Sequence, residues 1–228
     1  MKTYHIDCAS ASNVGQTSNL PDGSLVGMSG TVFAIGPALG EKVFYMTVPD
    51  RITGIRVESV PALQASITPG REVDVVGTLG KTTNNERVLS AGQVTAKVLH
   101  TPPDPLFPSP LLMQNKCLGG ARKGNSFGCV PDSERWALNT VGMYTRVAGR
   151  VSESASGQFW VDDGSRALDG SPIRALVKAA GLQLPPNGAY VIVQGACGLT
   201  PDGTPDPTSN IATIRPALAS DIIVLSAY

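Results

Sequence analysis

The sequence predicts an all-β protein built from two small closed barrels in tandem, joined by a long connector rich in proline and glycine. Three observations predict this fold. The length of 228 residues suits two domains of about 100 residues each. The 25 glycines and 18 prolines favour many short strands joined by turns. One set of segments also occurs twice in the same order, and 42% hydrophobic residues are enough to fill two cores.

The internal repeat is clearest in two segments punctuated by glycine. Gly70–Gly80 and Gly188–Gly198 both read glycine, six residues, glycine, two residues, glycine, with an apolar stretch between the first two glycines. Three further matches precede this one in each half of the chain: Ser29–Val32 with Ala148–Val151, Phe44–Tyr45 with Phe159–Trp160, and Ile55–Val57 with Ile173–Ala175. Four matches in one order indicate a duplication.

Each half is predicted to hold five strands, with an irregular crossover after the third. The strands of the first half are expected at 25–36, 42–48, 54–59, 71–80 and 87–99. Those of the second half are expected at 143–154, 157–162, 172–178, 188–199 and 210–225. This layout predicts two five-stranded barrels of the oligonucleotide/oligosaccharide-binding (OB) type. Closing each sheet removes its exposed edges, and glycine allows the sharp bends that closure needs.

The predicted domains follow from these strands. They are an N-terminal segment at 1–19, a first barrel at 20–100, a connector at 101–138 and a second barrel at 139–228. The connector opens with the proline-rich run 102–110, which excludes a helix or a central strand. A short segment lies outside either predicted barrel and is a candidate assembly strand for a neighbour's sheet. It consists of Thr3, Tyr4, His5 and Ile6.

Parts of the sequence resemble tandem OB-type modules of bacterial secreted and cell-surface proteins. The resemblance is carried by Phe44-Tyr45, Pro49–Arg51, Gly54–Val57 and Gly70–Gly80, and by a joint between copies at Leu118–Gly120 and Leu138–Met143. It covers most of residues 20–226 and implies the barrel fold. It implies little about function, because such modules are attached to many different partners. Cys117, Cys129 and Met46–Val48, where a more acidic strand end is expected, depart from the pattern.

The balance of charged residues indicates which kinds of partner the protein is expected to bind. Eighteen basic residues match eighteen acidic ones, so the formal net charge is zero, and only 16% of residues are charged. Proteins that bind the phosphate backbone usually carry a basic excess. The balance therefore argues against nucleic acid as the main partner, although a local basic patch stays open. A weakly charged surface also opposes self-association only weakly.

The compartment is predicted from what the sequence lacks. No apolar run reaches the roughly 20 residues of a membrane span, and Met1–Asp7 has no apolar core of a signal peptide. We expect an extracellular or cell-surface protein that is a mature or excised part of a longer chain. A cytoplasmic protein is the alternative.

Two motifs suggest catalysis but lack what the chemistry requires. Gly124–Gly128 spells G-x-S-x-G, whose serine needs a preceding strand, a following helix and a later histidine. Both histidines, His5 and His100, come before it. Gly77–Thr82 is spaced wrongly for a phosphate-binding loop. We therefore expect no enzyme activity and no cofactor.

The four cysteines suggest disulfides rather than a metal site. They contain no C-x-x-C pair and only two histidines accompany them, so no metal is expected. Cys117 and Cys129 flank an eleven-residue loop, and a bridge between them would stabilise by about 3 kcal/mol. Cys8 and Cys197 could pair within one chain or between copies. Two buried free thiols are an equal alternative.

Aromatic and basic residues on the strands are the candidate ligand-binding set. Neighbouring strand residues face opposite sides, so one ring of each aromatic pair faces the core and the other faces outward. An outward ring can stack on a base or sugar, worth about 1–3 kcal/mol per base. The favoured alternative is that the outward ring packs on a neighbouring domain or subunit. The candidates are Tyr45, Arg51, Arg56, Trp160 and Arg174.

The sequence therefore predicts a non-catalytic extracellular structural or adhesive module. It is expected to self-assemble as a homo-oligomer or filament, or to pack on a glycan or another cell-surface partner. The alternative is an OB-fold module that binds nucleic acid or glycan.

Overall fold

The computed structural model describes residues 3–5, 17–48, 53–97, 108–120, 138–201 and 210–226. Within these ranges the chain forms thirteen β-strands and three short 3₁₀ turns. The all-β prediction is confirmed. The predicted strand positions agree with the observed ones to within a few residues, because turn residues and apolar alternation mark most strand ends in this sequence.

The first sheet closes into a barrel. Its strands are β1 (Thr3–His5), β2 (Leu25–Ile35), β3 (Val43–Thr47), β4 (Gly54–Ser59), β5 (Glu72–Lys81) and β6 (Arg87–Ala96). The neighbour order is β1-β2-β3-β4-β6-β5, and β2 also pairs with β5, so that five strands form a closed ring. Strands β4 and β6 are parallel. This is the five-stranded OB arrangement.

The second sheet repeats the first. Its strands are β7 (Leu111–Leu112), β8 (Tyr144–Ala155), β9 (Gln158–Arg166), β10 (Pro172–Lys178), β11 (Tyr190–Pro201), β12 (Asn210–Arg215) and β13 (Ile222–Ser226). Pairing of β11 with β8 closes the ring. The sequence predicts one strand at 210–225, but a 3₁₀ turn at Ala219–Asp221 divides it. The division follows Pro216, which has no amide hydrogen for the ladder.

A short parallel strand flanks each barrel at the same place. Thr3 in β1 pairs with Leu25 at the start of β2, and Leu111 in β7 pairs with Thr145 near the start of β8. Within the chain, Thr3–His5 of the candidate assembly strand pairs with the start of β2; its pairing with a neighbour's sheet remains a prediction from sequence. Ile6 lies outside the described residues.

Each barrel has its own apolar core, formed by alternate strand residues. In the first barrel the core includes Val26, Val32, Phe44, Val57, Val73 and Leu89. In the second it includes Val147, Val151, Phe159, Val177, Val191 and Ile214. Full burial of one such side chain stabilises by about 1.5–3 kcal/mol.

Two equivalent glycines, Gly77 on β5 and Gly195 on β11, permit a close approach between neighbouring strands. A Cβ atom on Gly77 would overlap the backbone of Ser90, and one on Gly195 would overlap the backbone of Arg215. Closure brings these strands too near for any side chain at that position. The second glycine of each repeat is therefore retained for steric reasons.

The described part of the connector packs on the second barrel and forms hydrogen bonds with it. Asn115 is buried, and its amide Nδ2 donates to the Val161 carbonyl at 2.8 Å. Its backbone N–H donates to Asp163 at 2.8 Å, and Leu118 lies in the second core. The rest of the proline-rich run up to residue 107, and the G-x-S-x-G motif, lie outside the described residues.

The cysteines that the structure describes do not form the predicted disulfides. Cys117 and Cys197 are free thiols, and the structure shows no disulfide among the residues it describes; Cys8 and Cys129 lie outside them. Cys197 is fully buried in the second core. Burial raises the pKa of its thiol to about 11, against a smaller lowering by the Thr140 hydroxyl. The thiol acts as a small apolar core group.

The described residues contain neither a candidate membrane-spanning helix nor a group of metal-ligating side chains. No helix there is long and apolar enough to cross a membrane. No group of three or more His, Cys, Asp or Glu side chains gathers there as metal ligands would.

Candidate ligand-binding site

The two barrels meet along an apolar seam. The rings of Phe33 on β2 and Tyr144 on β8 stack with their centroids 5.0 Å apart. Close by, the backbones of Gly54 and Gly142 approach so tightly that a Cβ on either would overlap the other. The seam also buries Ala34, Tyr45, Ala196 and Ala217. The barrels are thus in direct contact.

A buried polar cluster lies within the seam. Its members are Tyr45 on β3, Glu86 just before β6, and Arg215 at the end of β12. The Tyr45 hydroxyl donates to Glu86 Oε1 at 2.7 Å and accepts from Arg215 Nη1 at 3.0 Å. Glu86 Oε2 lies 2.9 Å from the same nitrogen, and the Glu86 side chain is fully buried. One tyrosine therefore bridges a buried ion pair that spans both barrels.

The ionisation of the cluster follows from its burial and pairing. Burial raises the pKa of Tyr45, and the neighbouring Glu86 carboxylate raises it further. Burial alone would lower the pKa of Arg215, but Tyr45 and Glu86 outweigh it and the pKa is raised. The cluster therefore holds a neutral phenol and a charged guanidinium throughout the neutral pH range.

Arg56 connects this cluster to the surface. Its Nη1 lies 3.4 Å from the Tyr45 hydroxyl, and its guanidinium carbon is 6.0 Å from the centre of the Tyr45 ring. Its Nε donates to Glu58 Oε1 at 2.8 Å. Arg56 is thus held in place from both sides at the edge of the seam.

A polar cleft of about 400 Å³ opens at this edge. It combines the outer face of β4, the loop between β5 and β6, and one residue of the second barrel. The lining residues are Arg56, Glu58, Lys81, Thr82, Thr83, Asn84, Val88, Ser90 and Arg215. Three cationic side chains therefore face one carboxylate in the lining. OB barrels bind their ligands on this strand face and beside this loop.

Two lysines, Lys81 in the cleft lining and Lys178 nearby, contribute to the charge around the cleft. Lys81 Nζ lies 3.4 Å from Asp22, whose side chain is half-exposed. The pKa of Lys178 is lowered by burial and by repulsion from Arg215, so Lys178 also belongs to this electrostatic environment. Of the groups named around the cleft, four are cations, Arg56, Lys81, Lys178 and Arg215, and three are carboxylates, Asp22, Glu58 and Glu86. The basic excess is therefore small, and most of these charges are paired.

The second barrel also has an aromatic–arginine pair, but the arginine lies two residues away from the position of Arg56: Leu176, not Arg174, is opposite Trp160. The guanidinium carbon of Arg174 lies 4.9 Å from the centre of the Trp160 ring. Arg174 is also bonded to Ser152 at 3.2 Å and paired with Glu153. The Trp160 side chain is half-buried. This pair therefore remains partly open, whereas the Tyr45 ring of the first barrel is fully buried.

The structure separates the five predicted ligand-binding residues. Tyr45 is fully buried, which corrects its proposed stacking on a ligand and places its ring on the neighbouring barrel. Arg56 lines the cleft. Trp160 and Arg174 lie together on the second barrel and outside the cleft lining. Arg51 lies outside the described residues.

Sequence reasoning missed Glu86, Arg215 and Lys81 as members of one site. Each is a single charged residue in an ordinary strand or loop context, so no local pattern marks it. Their association depends on how the barrels are oriented. The sequence match of Arg56 with Arg174 gave no signal for this site, because the ladders place Leu176, opposite Trp160, at the position that Arg56 occupies opposite Tyr45.

No protein-family model matches the chain, and no curated protein matches it. Among solved structures, one similar chain is a murine DNA-binding protein bound to double-stranded DNA. Its TM-score is 0.37 at 13% sequence identity, and the match covers 88% of this chain and 99% of that chain. A similarity at this TM-score gives no argument about function. The OB assignment rests on the strand order and closure of the two barrels.

Proposed function

We propose that the chain is an OB-type binding module that holds a short single-stranded segment of nucleic acid in the cleft at the seam. The observation that carries the proposal is the position of that cleft. It lies beside β4 and the β5–β6 loop, where OB barrels bind oligonucleotides, and its lining holds three cations and one carboxylate.

The chemistry of the lining supports an anionic ligand. The side chains of Arg56 and Arg215 are 16% and 11% exposed, so both are largely fixed before any ligand arrives. A fixed guanidinium loses little freedom when it binds a phosphate. The loop residues Thr82, Thr83 and Asn84 add hydroxyl and amide groups for sugar or base edges.

The contact is expected to be weak and sensitive to salt. Arg56 and Arg215 are already paired with Glu58 and Glu86. Lys81, 3.4 Å from a half-exposed Asp22, is therefore the cation most available to a phosphate. One such contact predicts a slope of about −0.7 for the logarithm of the binding constant against the logarithm of salt concentration. None of the described residues that line the cleft is aromatic. Stacking, which strengthens many single-strand complexes, would have to come from Trp160.

Fluorescence anisotropy with a labelled single-stranded oligonucleotide tests the proposal. Lys81→Gln should weaken binding about threefold to tenfold and reduce the salt slope by about 0.7. Lys97→Gln is the matched control, because Lys97 also pairs with carboxylates on the first barrel but lies outside the cleft. Binding that is absent at low salt, or that salt does not change, would contradict the proposal. Binding of a neutral oligosaccharide instead would assign the cleft to glycans.

A second candidate function is a structural module that self-assembles or packs on a surface partner outside the cell. The observation that favours it is the exposure of three consecutive apolar side chains on β13, namely Ile223, Val224 and Leu225. An extracellular or cell-surface location, kinship with bacterial secreted modules, and a lack of enzyme activity remain predictions from sequence. Fractionation of the producing cells tests the location.

A further inference from the structure

The two barrels differ at one matched row on their outer faces. In the first barrel Ser29, Asp74 and Thr95 lie side by side across three strands. The Ser29 hydroxyl is hydrogen-bonded to Asp74. Lys97 Nζ lies 3.5 Å from Asp74 and 2.6 Å from Glu72. This row is polar and internally paired.

The same row in the second barrel is apolar. Its residues are Ala148, Ile192 and Ile223, which the strand ladders place at the matched positions. Tyr190 occupies the position of Glu72. Ile223 is 45% exposed and Tyr190 is 47% exposed. The duplication therefore supplies an internal comparison, because one fold position is ion-paired in one copy and apolar and exposed in the other.

This apolar row ends at a strand edge. Among the strands that the structure describes, β13 pairs only with β11. Val224 and Leu225 on β13 are 48% and 60% exposed. An apolar edge strand with unused backbone groups is a site for pairing with another chain, and contiguous exposed apolar surface often marks an interaction site.

We propose that β13 pairs antiparallel with β13 of a second copy of this chain about a two-fold axis, with the Ile223 and Tyr190 side chains of the two copies in contact. A strand edge is complementary to itself in the antiparallel direction, as a two-fold interface requires. The exposed residues of β13 are uncharged, and the net charge of the chain is zero, so no net repulsion opposes the pair.

The surface that β13 offers to a second copy is small, so we expect a low affinity. One strand edge and a few half-exposed side chains form a smaller interface than the roughly 1,600 Å² of a standard complex. We therefore infer a weak dimer with a dissociation constant of about 10–100 µM. The inference rests on the second candidate function, self-assembly, and is independent of the cleft.

Sedimentation equilibrium of the full chain, from about 1 µM to about 500 µM, tests the inference. The average mass should rise from 23.7 kDa towards twice that value. The double variant Ile223→Thr with Leu225→Lys introduces the residue types of Thr95 and Lys97 from the first barrel. It should weaken dimerisation about tenfold or more. Leu168→Lys is the control, because Leu168 is fully exposed in a turn away from β13, and it should dimerise like the wild type.

Each other outcome overturns a defined part of the inference. A wild-type chain that stays monomeric at every concentration excludes self-pairing, and with it the self-assembling form of the second candidate function, and leaves the edge to a different protein. A double variant that dimerises like the wild type keeps self-assembly but excludes this surface. Hydrogen exchange of the wild-type chain gives an independent measurement: the β13 amides should exchange more slowly at high concentration and the β6 amides should not. Equal exchange of β13 at both concentrations contradicts the proposed pairing.

Discussion

Arg215 Nη1 donates to the hydroxyl of Tyr45 at 3.0 Å, across 170 residues of sequence and between two barrels. Tyr45 is fully buried, and the Arg215 side chain is 11% exposed. The same guanidinium pairs with Glu86 on the first barrel and donates to the Leu199 carbonyl on the second at 3.0 Å. Breaking such a bond leaves a buried group without its partner, so the contact couples the stability of the two barrels.

The first prediction concerns this bond. Tyr45→Phe removes the hydroxyl between Glu86 and Arg215, and we expect the free energy of unfolding to fall by about 1.5–3 kcal/mol, because both lost hydrogen bonds involve charged groups. Urea unfolding measures the change. Tyr190→Phe is the control: Tyr190 is half-exposed, and the loss of its hydroxyl should change stability by less than about 0.5 kcal/mol.

A double-mutant cycle shows whether the tyrosine acts through the arginine. We expect a coupling energy of about 1–3 kcal/mol between Tyr45→Phe and Arg215→Leu. Additive effects would mean that Tyr45 contributes only by filling space in the seam.

The second prediction concerns the closest backbone approach at the seam. Gly54→Ala places a Cβ against the backbone of Gly142, so the barrels must separate locally. We expect a loss of about 1–3 kcal/mol in the free energy of unfolding, as in other overpacked sites. Thermal unfolding measures this loss. Gly92→Ala provides the comparison, since nothing lies within 4 Å of a Cβ there. If both variants unfold at the same temperature, the contact between Gly54 and Gly142 is not a constraint.

The third prediction concerns alkaline pH. The folded pKa of Cys197, about 11, lies above the ordinary value of 9.0. The neutral buried thiol therefore contributes stability fully below pH 9, and this contribution is lost as pH rises through 11. One such group can lower the free energy of unfolding by at most about 1.4 kcal/mol per pH unit.

Urea titrations between pH 8.5 and 10 test this effect. Tyr45 and Tyr144, whose pKa values are raised in the fold, begin to lower stability only as the unfolded tyrosines ionise at their ordinary pKa of 10.0, so their effect lies mainly above this range. Cys197→Ala should flatten the decline in stability with pH. Cys117→Ala, which removes a half-buried thiol, should not. An unchanged slope in Cys197→Ala would show that the buried thiol does not titrate with unfolding.

The sequence predicted the barrels well because closure is a local property of each repeat. Glycines such as Gly77 and Gly195 are needed within one barrel, and apolar alternation around Val73 or Val191 reports one core. The seam was not predictable in the same way. Tyr45 is marked as an outward ring by its position beside Phe44, but whether water, a ligand or a barrel covers it depends on the orientation of a second domain. Nothing in the sequence around Glu86 indicates that its side chain is buried.

The attachment of Asn115 and β7 to the second barrel determines how the chain can be divided in the laboratory. A fragment that starts at residue 139 would leave the Val161 carbonyl without its amide donor and would remove Leu118 from the second core. An expression fragment intended to fold alone should therefore begin before Leu111, so that it carries its own flanking strand. Both barrels therefore carry a flanking parallel strand at the same place in addition to the five strands of the ring.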